Sequence, residues 1–183
     1  MASTPTLHAC DRVDLAWIGT APHRFTNSVD LAITPAQLFE VLADATAWPR
    51  WAKAITDVTW TTPEPRGIGT RRTVTMRGGL VGAEEFIAWE EHTLLAFRFD
   101  RASEKRIKAF GERYDVVATA DGCRLTWTLA LEVTGAARFT LAPSKPLLDA
   151  ASGGSSGICG RTPTSGSAHR PAPPDGRRCW SGA

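Results

Sequence analysis

Three polar side chains interrupt the apolar faces of predicted β-strands, and their types could support chemistry. Arg72 alternates with Val74 and Met76, and Glu112 and Tyr114 share one face of a later strand. A guanidinium can polarise a carbonyl or an enolate, and a phenol or a carboxyl can shuttle a proton. The structural alternative is that Arg72 reaches the sheet edge or pairs with Glu112, because a buried carboxylate without a partner is costly. We favour the structural role.

The sequence contains no stronger catalytic pattern. It has no nucleophile elbow, no glycine-rich phosphate loop and no metal-ligand cluster. Glu84 and Glu85 are adjacent on a predicted strand and therefore point to opposite faces, so they cannot converge as an acid-base pair. His92 follows two glutamates in a predicted turn, a position typical of a solvated surface. We assign no catalytic residue, and we expect neither a metal nor a cofactor.

Consecutive antiparallel strands must position the polar side chains. The last of them is the clearest, because Leu125, Trp127 and Leu129 alternate with polar or small residues, the period of a sheet with one buried face. Gly78 and Gly79 form a turn between the first two. The five predicted strands span residues 68–76, 82–91, 94–101, 107–119 and 123–133.

If the apolar faces of these strands converge, the concave side of the sheet is apolar and aromatic, with few polar groups. Such a lining is typical of a pocket for a small apolar molecule. The predicted ligand-binding residues are Arg72, Val74, Met76, Phe97, Phe99, Phe110, Glu112, Tyr114, Trp127 and Leu129.

The strand at 82–91 has two possible inner faces. Either Phe86 and Ala88 point inward, or Glu85, Ile87 and Trp89 do. We favour the second set.

The chain before the central sheet predicts a strand and two short helices. Residues 24–33 alternate as a first strand, and Thr34 before Pro35 is a helix N-cap that starts an amphipathic helix ending near residue 45. The Trp48 to Trp51 segment stops this helix, and a second short helix leads into a strand at 57–61. The two tryptophans are interpreted as anchors for the helix pair. Residues 1–20 are expected to be flexible, with a short strand or an edge contact at 15–18.

Several of these motifs, in this order, resemble one known family. They are the helix start Pro35-Ala36-Gln37-Leu38-Phe39, Asp44, the turn Trp48-Pro49-Arg50-Trp51, the strand entry Gly67-Ile68-Gly69-Thr70 and the strand Asp121-Gly122-Cys123-Arg124-Leu125-Thr126-Trp127. Together they resemble the polyketide cyclase/dehydrase-like branch of the START-like (SRPBCC) superfamily, over about residues 21–148.

The resemblance implies an α+β helix-grip fold, in which a curved antiparallel sheet wraps a C-terminal helix and encloses an apolar cavity. Relatives include lipid carriers and aromatase/cyclases, so the fold does not fix a reaction. We expect a protein that binds or carries a small hydrophobic ligand, either a lipid or a polyketide-like compound. The alternatives are a polyketide cyclase or dehydratase, with Arg72, Glu112 and Tyr114 in its cavity, and a protein-interaction module that uses the sheet face.

Composition and charge narrow the class of protein further. The 183 residues are 43% hydrophobic and 22% charged with a net charge of +2, which is typical of one globular domain and gives little support for nucleic-acid binding. No apolar run is long enough to span a bilayer, and Asp11, Arg12 and Asp14 lie where a signal peptide needs an apolar core. We expect a cytoplasmic protein, and the four separated cysteines are interpreted as reduced.

The composition changes abruptly near Ala151. Residues 136–151 begin as a terminal helix, although Pro143 and Pro146 interrupt it. Gly, Ser and Pro then make up 17 of the 33 residues from 151 to 183, which favours disorder over a packed helix. The predicted organisation is a flexible segment at 1–20, a START-like domain at 21–150 and a disordered tail at 151–183. The tail is either natural or the product of a shifted reading frame, and a partly uncovered sheet would favour a homodimer.

Overall fold

One curved antiparallel sheet organises the part of the chain that the computed structural model describes, residues 5–135. Its strands follow the order β2-β8-β7-β6-β5-β4-β3, and β1 pairs with the end of β6 that β7 leaves free. The strands are β1 (His8–Ala9), β2 (His23–Leu31), β3 (Ile55–Trp60), β4 (Arg71–Met76), β5 (Val81–Glu90), β6 (Leu94–Ala102), β7 (Ile107–Thr119) and β8 (Gly122–Val133).

Short helices cover parts of both faces of the sheet. They are α1 (Leu15–Thr20), α2 (Pro35–Ala43) and α3 (Trp48–Trp51). The face that packs against α2 and α3 is called the inner face, and the face that carries α1 is called the outer face. The larger apolar core lies on the inner face, so this face holds most of the residues predicted to line a pocket.

The first helix after β2 begins as its sequence predicts. The Thr34 hydroxyl accepts a hydrogen bond from the Gln37 backbone N–H, and the Gln37 side chain accepts one from the Thr34 backbone N–H. This reciprocal capping box and Pro35 at the first position fix the start of α2. Leu38 and Leu42, one turn apart, are fully buried on its inner side.

The predicted strand at 68–76 begins later than expected. Ile68 is 74% exposed, and regular pairing of β4 starts only at Arg71. Residues 67–70 instead form a turn that donates the Gly69 N–H to the Phe86 carbonyl. The face assigned to Arg72, Val74 and Met76 is nevertheless the inner one.

The preferred inner face for the strand at 82–91 is only partly right, because β5 contains a bulge. Phe86 pairs with Phe97, but Ala88 pairs with Ala96, so Ile87 is an extra residue. Phe86 and Trp89 therefore both reach the inner core, whereas Ile87 and Ala88 pack on the outer face. Neither regular alternation considered from the sequence describes this strand.

Residues 8–20 pack on the sheet, although residues 1–20 were expected to be flexible. Strand β1 pairs with β6, and 15–18 begins helix α1, with Asp14 as its N-cap. Ile18 is fully buried on the outer face, 3.0 Å from the position that a Cβ on Gly111 would occupy. Because Gly111 in β7 has no side chain, Ile18 of α1 can pack closely against this strand, a tertiary contact that local sequence does not reveal. The predicted helical segment at 136–151 and the tail after it lie outside the described residues.

Candidate functional site

The register of β4 and β5 places Arg72 directly opposite Glu84 on the inner face. Arg72 Nε donates to Glu84 Oε2 over 2.5 Å, and the two side chains are 0% and 2% exposed. The prediction that Glu112 is the partner of Arg72 is wrong. A directly opposed neighbour on the adjacent strand is closer than a residue on β7, which is separated from β4 by two strands.

Aromatic rings surround the Arg72 guanidinium. Its central carbon lies 4.2 Å from the Trp48 ring centroid, 4.6 Å from that of Phe97 and 5.0 Å from that of Phe86. The Trp60 ring lies at 5.6 Å. These distances favour cation–π attraction, which is strengthened when the cation is removed from water. Nη1 and Nη2 are buried and have no hydrogen-bond partner within residues 5–135.

A second carboxyl lies on the same face, on β7. Tyr114 donates its hydroxyl to Glu112 Oε2 over 2.5 Å, and Trp127 Nε1 donates to the same oxygen over 3.0 Å. Alternation along β7 puts Glu112 and Tyr114 on one face, and Trp127 is paired directly with Tyr114 across to β8. The Glu112 side chain is thereby oriented by two donors from two strands.

Burial dominates the titration of these groups. It raises the pKa of Glu84 from 4.5 to about 7, against the opposing effect of the Arg72 charge. Burial also raises the pKa of Glu112, although the hydrogen bonds from Tyr114 and Trp127 oppose the change. The pKa of Tyr114 lies well above its usual value because the phenol is buried and close to the Glu112 charge. At neutral pH one of these two buried carboxyls, Glu84 or Glu112, is therefore able to hold a proton.

A continuous row of aromatic rings crosses the inner face beside these polar groups. Neighbouring centroids along it are 5.4, 5.3, 5.9 and 6.5 Å apart, distances at which rings interact favourably. Phe99 and Phe110 stack separately at 4.1 Å. The row runs from β3 to β8 through Trp60, Phe86, Phe97, Tyr114 and Trp127.

All residues predicted to bind a ligand lie on the inner face, and whether they contact one stays a prediction. The charged pair and the ring row bring together Arg72, Phe97, Glu112, Tyr114 and Trp127. Val74, Met76 and Leu129 belong to the surrounding core, and Phe99 and Phe110 form the separate stack.

Glu84, Trp60 and Phe86 were not predicted as site residues, and Trp48 was interpreted only as an anchor. The missing signal was the register of one hairpin. With a turn at Gly78–Gly79, Met76 and Leu80 flank the loop, and counting outward two residues at a time places Arg72 opposite Glu84.

Other kinds of site find no support in the described region. Between residues 5 and 135, no three His, Cys, Asp or Glu side chains are grouped so that they could hold a metal ion. In the same range, no helix is long and apolar enough to cross a membrane. Cys10 and Cys123 are buried free thiols.

The curved sheet, its inner core and the short capping helices define a START-like helix-grip protein. Solved structures share this fold at low sequence identity. A START superfamily protein from Mycobacterium smegmatis matches with a TM-score of 0.53 and 18% identity, covering 68% of this chain and 90% of that one. The solution NMR structure of a Thermobifida fusca protein matches with a TM-score of 0.54 and 19% identity, covering 71% of this chain and 87% of the other.

Sequence comparison gives the family. The family model described as "Polyketide cyclase / dehydrase and lipid transport" matches residues 22–153, and the chain belongs to that family. Uncharacterized protein Rv2574 of Mycobacterium tuberculosis is 58% identical over 145 residues, which cover 79% of this chain and 87% of the relative. The family resemblance inferred from the motifs is thereby confirmed.

Proposed function

We propose that the protein binds a small hydrophobic molecule against the inner face of the sheet, as a carrier or a binding protein. The observation that supports this function is the aromatic row beside a buried guanidinium whose two terminal nitrogens have no partner among residues 5–135. A mostly apolar surface with a few polar groups suits a ligand that is apolar except at one end. The lipid transport named in the family description agrees with this proposal.

Enzymatic cyclisation or dehydration is the second candidate. It is favoured by the buried Arg72–Glu84 pair, in which burial raises the pKa of the carboxyl to about 7. A carboxyl with a pKa near neutrality can exchange a proton with a bound substrate, and a guanidinium can stabilise an enolate oxygen. Tyr114 lies near the same centre but keeps its proton at neutral pH, so it would act as a hydrogen-bond donor.

Native mass spectrometry of gently purified protein tests binding directly. We expect a population with an added mass that disappears when the protein is denatured, and the released compound should be apolar. Incubation of that compound with the protein, followed by chromatography, separates the two candidates, because a carrier returns it unchanged and a cyclase or dehydratase does not. Protein that carries no added mass and binds no added apolar compound would contradict both candidates and favour an interaction module.

A further inference from the structure

The Arg72 guanidinium is incompletely satisfied in a specific way. Its Nε is used by Glu84, and the Trp48 and Phe97 rings lie near the flat cation. Rings attract the charge of a guanidinium but are weak acceptors for its N–H groups. Nη1 and Nη2 are buried, and neither finds an oxygen within the described chain. A buried donor without an acceptor is unfavourable, so this end of the side chain favours an acceptor from outside the described residues.

The geometry of the free end selects the acceptor. Nη1 and Nη2 of a guanidinium present parallel N–H groups that match the two oxygens of a carboxylate. A hydroxyl or a single carbonyl oxygen would satisfy fewer of these donors. An apolar molecule ending in a carboxylate therefore fits both the free donors and the aromatic row.

A carboxylate ligand would unbalance the charge of the centre. Arg72 carries one positive charge, which Glu84 already neutralises over 2.5 Å. A second negative charge in this buried place would be strongly unfavourable unless one of the carboxyls bound a proton. Glu84 is the acceptor best suited to that proton, because burial already raises its pKa to about 7.

The groups around Glu84 determine how readily it binds a proton. Arg72 on β4 favours the charged form of Glu84, and Glu112 on β7 disfavours it. Tyr114 on β7 also senses the Glu84 charge, and its own pKa is raised well above the usual value. On β6 the residue paired with Glu84 is Phe99, and the rings of Trp48 from α3 and Phe97 from β6 lie against its partner Arg72; none of these side chains titrates.

We propose that the hydrophobic ligand is a monocarboxylate, that Arg72 Nη1 and Nη2 bind its carboxylate, and that one proton passes from solvent to Glu84 as the ligand binds. This inference rests on the proposed function, since it specifies the polar end of the same ligand. No bond other than that to the proton is made or broken. The proton balance predicts an affinity that falls as pH rises above about 7, by up to roughly tenfold per pH unit.

Two probes of equal chain length separate the inference from the proposed function. Decanoate and decan-1-ol differ only at the polar end, and isothermal titration calorimetry measures the affinity of each for the full chain. Hydrogen bonds to charged groups exceed neutral ones, so decanoate should bind about tenfold to a hundredfold more tightly at pH 7.5. Repeating the titration in buffers of different ionisation enthalpy should show an uptake of about one proton with decanoate and none with decan-1-ol.

The double variant Arg72→Met with Glu84→Gln removes both charges together, and it should lose the preference for decanoate over decan-1-ol. Equal affinities of wild type for both probes, or decanoate binding without proton uptake, would overturn the inference and leave the proposed function standing. A folded double variant that keeps the preference would also overturn it. Failure of wild type to bind either probe would contradict the proposed function itself. If the double variant does not fold, the proton count in wild type decides the matter.

Discussion

Removing both charges of the Arg72–Glu84 pair should destabilise the fold by less than the sum of the two single changes. The perturbations are Arg72→Met, Glu84→Gln and their combination. The side chains are 0% and 2% exposed, so each single change leaves a buried group without its partner. Breaking a buried ion pair in this way costs about 3–5 kcal/mol.

The two single changes should differ in size. Glu84→Gln should cost less than this penalty at pH 7, because burial raises the pKa of Glu84 to about 7 and so already favours a neutral side chain at this position. Arg72→Met leaves Glu84 among apolar rings, where it can bind a proton, because its pKa is about 7 even beside the arginine. Arg72→Met should therefore cost less at pH 6 than at pH 8.

Urea unfolding followed by tryptophan fluorescence gives the free energy of unfolding of all four proteins. We expect the double variant to be more stable than the sum of the single effects predicts, by roughly 2 kcal/mol. Asp30 and Arg124 form a matched control, because they are also opposed across neighbouring strands, at 2.7 Å, but are 62% and 57% exposed. Their coupling should be small because solvent screens exposed pairs. Additive effects at Arg72 and Glu84 would refute the assigned pairing.

Three further predictions concern pH, packing and the gene. Because burial raises the pKa of Glu84 from 4.5 to about 7, the folded state binds this proton more tightly than the unfolded chain does. As the pH rises from 4.5 to 7, the free energy of unfolding of wild type should therefore fall by about 3 kcal/mol relative to that of Glu84→Gln. Parallel pH profiles of the free energy of unfolding for the two proteins would contradict this. Gly82→Ala should destabilise the fold by roughly 1–3 kcal/mol, because the new Cβ would lie 2.5 Å from the buried Phe99 ring. Gly67→Ala is the control and should not destabilise the fold, because there is open space around Gly67. Thermal unfolding of both variants checks this. The family match ends at residue 153, close to the change in composition. Translating the codons after Ala151 in the other two frames should reveal apolar residues at helical spacing, and their absence from both frames would refute a frameshift.

The alternating strands could be predicted from sequence because their pattern is local. Leu125, Trp127 and Leu129 repeat every second residue, and the structure places all three on the inner face. The β5 bulge at Ile87 could not be predicted, because an extra residue changes the face of every later side chain without altering composition.

The candidate site was predicted in its residue types and missed in its pairing. Arg72 and Glu112 each interrupt an apolar pattern, and for this reason both were predicted as site residues. Their partners depend on register, which the pattern of one strand alone does not give. The Gly78–Gly79 turn carried that information for Glu84, whereas the Trp48 contact with Arg72 depends on how α3 packs against the sheet.

The position of a bound apolar molecule tests the central claim most directly. Tyr114 is the chain's one tyrosine and Met76 one of its two methionines, so their NMR signals can be assigned with little ambiguity. Both lie on the inner face, whereas Leu15 and Ile87 lie on the outer face. With decan-1-ol bound, the account predicts nuclear Overhauser effects from the alkyl chain to the Tyr114 ring and the Met76 methyl group. Effects confined to Leu15 and Ile87 would contradict it.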